Sequence, residues 1–256
     1  LQLPFNFRLM NQPWNARAIR QSVDELEEAL PEFAWPNYVL SNHDAQRLVS
    51  RVGEKQARVA AMLLLTLRGT PTLYYGEEVG MENAVIAADQ MQDPQGLRLG
   101  TDQSRDYGRT PMQWTDGPFS GFSTIKPWLP LTQNYREKNV AAENSDPASM
   151  LNLFRTLIHF RKEHPVLQSG SYLPVDGESE DCFVFERIGD DEVYLVALNF
   201  SNKETSVHLP DGLTGQILVS TYLDGSLLLI RDDLKLRNDE GVILKVANNT
   251  AARQDE

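Results

Sequence analysis

The sequence contains a single cysteine, Cys182, so no disulfide can form within the chain. That suits a reducing compartment, and the chain reads as cytoplasmic. No apolar run approaches the ~20 residues of a membrane span. The longest, "AAMLLLTL" from Ala60 to Leu67, lies between charged flanks and reads as a buried core helix. Positive charge is scarce: 24 basic against 36 acidic residues give a formal net charge of −12. This disfavours nucleic-acid binding, which needs a basic footprint. "LQLPFNFRLM" has neither the charged n-region nor the apolar h-region of a signal peptide, so any localisation signal is expected upstream of it. That opening, with Leu1 in place of Met, reads as a strand already inside a domain of a longer protein. What is present is globular: 256 residues, 41% hydrophobic and 23% charged, enough for one large domain or two ordinary ones.

The first part alternates strand and helix. "LPFNFRLM" is a strand candidate. A helix follows Pro13, with Asn15 as N-cap, Ile19, Val23, Leu26 and Leu30 on one face, and Pro31 ending it. "NYVLS" is the next strand, and Glu54 to Arg68 is a strong helix closed by Gly69. "TPTLYYG" is a third strand. Strands joined through helices predict βαβ units and a parallel sheet, in a doubly wound sheet or a (β/α) barrel. From about residue 82 to 145 periodicity stops. This loop carries Trp114, Phe119, Phe122 and Trp128, which favour an ordered loop over a pocket. Helix returns at Pro147 to Lys162, with Asp146 as N-cap. Beyond about residue 168 come "CFVFERI", "VYLVALNF", "TSVHLP", "GQILVSTY", "SLLLI" and "GVILKV", short strands with close turns that predict an antiparallel β domain. The expected division is 1–168 and 169–256.

"SNHDAQR", Ser41 to Arg47, directly follows the strand "NYVL". Residues just past a barrel strand's C-terminal end form the active-site face. A nucleophilic dyad lacks a partner here, since the only cysteine lies in the β domain and no G-x-S-x-G elbow exists. A metal site is poorly served, because His159, His164 and His208 show no ligand spacing. Sugar recognition suits the pair better. A carboxylate accepts from two vicinal hydroxyls, an imidazole donates to one, and both bonds can strengthen as the ring approaches an oxocarbenium ion. Locally the alternative stays open that Asn42 and Asp44 cap the following helix.

The longer context bears on that choice. "NYVLSNHDAQRLVSRVG", "LLLTLRGTPTLYYGEEVGM", "GRTPMQW", "GFS" and "PWLP" occur in order and resemble the alpha-amylase family of glycoside hydrolases, in its alpha-glucosidase, oligo-1,6-glucosidase and trehalose-synthase branch. The resemblance runs from Leu3 to about Gly170. It implies α/β plus all-β architecture: the C-terminal part of a (β/α)8 TIM barrel, about strands six to eight, followed by an antiparallel β-sandwich. It also implies that Asp44 is the transition-state-stabilising carboxylate and His43 its neighbour in the same subsite. By the same resemblance Arg109 looks like the arginine that holds the non-reducing end of the sugar, and Arg47 is expected either to line the same entrance or to form a salt bridge at the start of the following helix. Trp114 and Tyr75 are read as core. Glu77 and Glu78 are read as structural, bonding the loop backbone.

The same resemblance exposes a gap. Retaining glycosidases need two carboxylates about 5 Å apart. The family's nucleophile Asp and acid/base Glu end its fourth and fifth strands, and no matching block is present; "LIRDD" lies in the β domain and lacks the preceding Gly. The chain alone is therefore expected to be inactive, and to need the N-terminal part of the barrel or another copy of itself. As part of the full-length protein it would act on alpha-glucosides, as a retaining alpha-glucosidase or a trehalose-synthase-type isomerase. A non-catalytic relative is the other class. No cofactor or metal is implied; Asp93, Asp102 and Asp106 form no calcium loop.

Overall fold

The computed structural model describes residues 3–31, 33–176, 179–209, 213–225 and 228–247. The chain forms two compact units interleaved along the sequence. One comprises Leu1–Val39, Arg58–Thr72 and Thr156–Glu256, the other Leu40–Ala57 and Leu73–Arg155.

In the first unit, helix α1 (Ala16–Ala29) begins where expected, with the Asn15 carboxamide accepting from the Ala18 amide at 2.9 Å. Ile19 and Val23 are fully buried on its inner face. Strand β1 (Asn37–Val39) pairs in parallel with β2 (Thr70–Thr72), Asn37 opposite Thr70. "LPFNFRLM" contributes only an isolated parallel bridge from Asn6 to Tyr38, and then turns into a short 3-10 helix at Leu9–Asn11. Pro4 has no amide to donate to a ladder, and Phe5 and Phe7 remain exposed. Asn6, β1 and β2 thus lie in parallel order.

Helices α2 (Leu48–Val52) and α3 (Glu54–Thr66) connect β1 to β2. Val59 to Leu65 of α3 is buried on every side, which explains its unbroken apolar run. Gly69 is required after it: φ is +108°, and a Cβ there would lie 2.3 Å from the Pro36 carbonyl oxygen.

Within the long segment lie α4 (Pro94–Leu99) and α5 (Val140–Ser145), and after it come α6 (Met150–Glu163) and α7 (Pro165–Ser169). Helix α6 starts later than expected. The Asp146 carboxylate caps only the Ala148 amide, and the Ser149 hydroxyl accepts from Asn152 at the helix start.

The β region forms a six-stranded antiparallel sheet and a two-stranded antiparallel sheet. The first comprises β3 (Ser171–Val175), β4 (Cys182–Ile188), β5 (Val193–Asn199), β7 (Thr214–Ser220), β8 (Leu229–Arg231) and β10 (Gly241–Val246). Its spatial order is β3-β4-β5-β10-β7-β8. The second pairs β6 (Thr205–His208) with β9 (Asp233–Leu236). Val184, Leu195, Val207, Leu234 and Leu244 pack together in a core drawn from both sheets.

Two buried arginines fasten backbone carbonyls in this unit. Arg161 donates to the carbonyls of Leu65, Leu67 and Gly69, at and beyond the C-terminus of α3. Arg187 donates to those of Thr66, Leu167, Gly170 and Ser171. A cation at a helix C-terminus meets the negative end of its dipole. Burial lowers both guanidinium pKa values, to about 10 and about 9.

Candidate active site

The site lies wholly in the second unit. Past β1 the chain turns sharply: the Asn42 carboxamide accepts from the Asp44 amide at 2.8 Å, leaving the Asp44 carboxylate and the His43 ring half-exposed. The helix-cap alternative does not hold, because α2 begins at Leu48 and has no side-chain cap.

Three cationic or proton-bearing groups converge on Asp44. Arg109 donates through Nη2 to Oδ1 at 2.7 Å, and Arg105 through Nη1 to the same oxygen at 3.0 Å. His43 Nε2 is 3.4 Å from Oδ2. Arg109 also donates through Nε to the His43 carbonyl at 2.8 Å, so it grips the turn as well as the carboxylate. The structure therefore brings together Asp44, His43 and Arg109, although 65 residues separate Asp44 from Arg109.

Arg47 sits elsewhere. Its side chain is 2% exposed, so it does not face solvent at an entrance. Nη1 donates to the Tyr75 carbonyl at 2.7 Å, and the guanidinium lies 4.7 Å from the Tyr75 ring centroid and 5.4 Å from that of Tyr74. Its Nε and Nη2 are buried without hydrogen-bond partners. The cation is held by two aromatic faces, a stabilisation that grows on desolvation. The aromatic pair is fixed in turn, Tyr75 Oη donating to the Thr110 carbonyl at 2.6 Å and Tyr74 Oη to that of Gly108 at 3.1 Å. Arg47 thereby ties the turn after β1 to the segment that carries Arg109.

Glu77 and Glu78 bond the loop backbone, as expected. Glu77 accepts from the Tyr74 amide at 3.2 Å and from the Ser41 hydroxyl, and Glu78 accepts from the Gly76 amide at 2.7 Å. Burial pushes the Glu77 carboxyl up to about 7. Its partner Ser41 is three residues before Asp44, so this carboxyl supports the turn.

One feature was not foreseen: Arg105, with the buried Asp93 behind it. The expected pocket under the aromatic loop is present, about 340 Å³ beside Arg109, walled by Tyr75, Trp114, Phe122 and Trp128. Trp114 and Trp128 are 48% and 79% exposed, so neither is core. The turn that presents Trp114 and Phe122 is strained: Phe119 and Ser120 have φ of +51° and +56°. Ser120 pins it, accepting through its carbonyl from the Trp114 and Thr115 amides. The aromatic richness of the loop was the available sign. Chemically, the arrangement offers an ionisable carboxylate held by fixed donors, with an imidazole at its side and hollows for a polar ligand. Asp44 and Tyr107 line a second hollow of about 320 Å³.

Residues 4–170 match the family model described as alpha amylase, catalytic domain. The chain is similar to an alpha-glucosidase of Apis mellifera, 37% identical over 80% of this chain and 38% of that protein. It is also similar to an oligo-1,6-glucosidase of Parageobacillus thermoglucosidasius, 30% identical over 82% of this chain and 42% of that one. Among solved structures, the trehalulose synthase MutB of Pseudomonas mesoacidophila MX-45 superposes with a TM-score of 0.86 at 31% identity, covering 96% of this chain and 51% of that one. A variant of MutB has been solved with its substrate sucrose. The chain spans about half the length of these relatives or less.

Proposed function

The chain belongs to the alpha-amylase family, and from that premise we propose that it supplies one wall of the sugar site of a retaining alpha-glucosidase-type glycoside hydrolase. The substrates are short alpha-linked gluco-oligosaccharides. Residues 1–168 form about the sixth to eighth strands of a (β/α)8 barrel, and residues 169–256 form the C-terminal β domain. Asp44 accepts two sugar hydroxyls and stabilises the developing oxocarbenium ion. His43 donates to a neighbouring hydroxyl, and Arg109 holds the far end of the same ring. Arg47 serves from beneath, fixing the Tyr74–Tyr75 wall against which Arg109 is placed.

The observation that carries the reading is the convergence on Asp44, a half-exposed carboxylate with Arg109 at 2.7 Å and His43 at 3.4 Å. Such a carboxylate favours positive charge at a sugar ring, but it neither attacks the anomeric carbon nor protonates the leaving oxygen. Those roles fall to a nucleophile and an acid/base outside this chain, supplied by the rest of the barrel or by another copy. A trehalulose- or trehalose-synthase-type isomerase is the second reading, favoured by the likeness to MutB.

The test is hydrolysis of maltose and isomaltose by the longest form of the protein. Asp44→Asn should cut turnover by about 10²- to 10³-fold with the melting temperature preserved. Turnover unaffected by Asp44→Asn would exclude the reading. The present chain alone should show no turnover, and hydrolysis by it that Asp44→Asn abolishes would remove the need for outside groups.

A further inference from the structure

Arg105 and Arg109 both reach Asp44 Oδ1, but they are not held alike. Asp93 grips Arg105 from behind in a bidentate pair: Nε donates to Oδ2 at 2.9 Å and Nη2 to Oδ1 at 2.7 Å. The Arg105 amide adds a third bond to Asp93 Oδ2 at 2.8 Å. The Asp93 carboxylate is fully buried and also accepts from the Gln95 amide at the start of α4. Its own amide is fixed in turn by Asp106. Arg105 hydrogen bonding holds the Asp93 carboxyl far below the usual carboxylate range, so it is ionised. A planar fork gripped on two nitrogens has no freedom left at the third. Nη1 therefore points at Asp44 in one direction only. Arg109 has no such grip; its other bond goes to the neutral His43 carbonyl.

Charge decides what this difference does. Two guanidiniums beside one carboxylate would leave the site net positive, where an oxocarbenium ion needs a negative neighbour. Asp93 cancels Arg105, so the Arg105–Asp93 pair contributes direction without net charge. An oxygen has two lone pairs, and both on Asp44 Oδ1 are taken by the arginines, while Oδ2 faces only His43 at 3.4 Å.

We infer that Arg105, neutralised and aimed by Asp93, is the fixed positioning residue of Asp44, that Arg109 is the donor that exchanges from Asp44 to the sugar, and that Oδ2 is the oxygen presented first to substrate hydroxyls. This rests on the reading of Asp44 given above. It assigns Arg105 no contact with the reacting atoms.

The discriminating experiment is a charge cycle in the longest form of the protein. Asp93→Asn leaves Arg105 positive and unmasked beside Asp44. It should lower kcat by about 10- to 100-fold while KM changes by less than about threefold. Arg105→Gln should lower kcat by about 10-fold. The double variant should recover activity relative to Asp93→Asn alone, because the unmasked charge is gone; a merely structural pair predicts activity that only follows the melting temperature through the cycle. Multiplicative losses, or an effect on KM alone, overturn the inference. Asp44→Asn run in parallel separates the two claims. If it is silent, the site reading fails; if it abolishes turnover while Asp93→Asn is silent, only the clamp fails. A folding defect or a silent assay is met by guanidinium NMR on the present chain. Arg105 should show restricted rotation and slow proton exchange, lost in Asp93→Asn and kept in Asp44→Asn. Rotation as free as that of Arg109 in the unaltered chain overturns the inference without any turnover.

Discussion

The antiparallel sheets and the long segment after β2 hold their shape by different means. In the sheets, order comes from apolar burial and backbone ladders. Strand β5 is buried along its whole length, and Val184, Leu195, Leu234 and Leu244 close on one another. The segment from Leu73 to Arg155 has few regular elements and, among the described residues, a small apolar cluster around Val79, Met81, Met112 and Leu151. Its order comes from side chains that bond backbone: Asp93, Asp106, Asn139, Glu77, Glu78 and the tyrosine hydroxyls. Burial is non-directional and tolerates exchange of one apolar group for another. Polar bracing is directional, and it fixes the guanidiniums and aromatic rings that a polar ligand would meet. The site is placed in the region whose order is directional.

Perturbations of each region can sharpen or break this contrast. Leu195→Ala, at a fully buried position of β5, should cost about 3–5 kcal/mol in denaturant unfolding. A cost near zero would mean the sheet core is not the source of order there. Arg187→Met tests the polar exception in the first unit. It strips donors from four carbonyls and should cost about 3 kcal/mol despite the apolar replacement. Stabilisation by that change would show that burial alone suffices.

Glu77 gives a pH-dependent test in the second unit. Its folded pKa of about 7 lies above the unfolded value. The folded chain therefore keeps a proton that the unfolded chain has already lost. Stability falls as pH rises from about 4.5 to 7 and is level above, with a full offset of about 3 kcal/mol. Glu77→Gln should flatten that fall. An unchanged profile would show that Glu77 is not the titrating group. Asn139→Ala should have the smallest effect. It removes the cap on Ala142 and the bonds to the carbonyls of Tyr135 and Arg136, at about 1–2 kcal/mol by thermal unfolding. No loss there would weaken the claim that polar braces order the segment.

Legibility in the sequence follows the same division. Strands β4, β5 and β10 were readable because burial on both faces leaves near-continuous apolar runs. Helix α1 was readable from Asn15 and its apolar spacing. Strand β3, "SYLPV", and β9, "DLKL", were missed, because mostly exposed or half-polar edges carry little pattern. In the site, Asp44, His43 and Arg109 stood out through their motifs, and the structure brings them into contact. Arg105 did not, because its meaning lies in bonds to partners 12 and 61 residues away, and no periodicity encodes those. Arg47 could be named but not placed: a guanidinium reads as solvent-facing unless the aromatic faces that bury it are known. Trp114 and Tyr75 carried the opposite ambiguity, since an aromatic reads as core until the loop around it is seen.

The most direct measurement is NMR mapping of glucose binding on this chain, followed from the His43 ring, the Arg105 and Arg109 guanidiniums and the Trp indoles. His43 and Arg109 should shift with glucose, Arg105 should stay in place, the amides of β4, β5 and β10 should be unmoved, and Asp44→Asn should abolish the response. Shifts confined to the sheets, or an undiminished response in Asp44→Asn, would contradict a sugar site at Asp44.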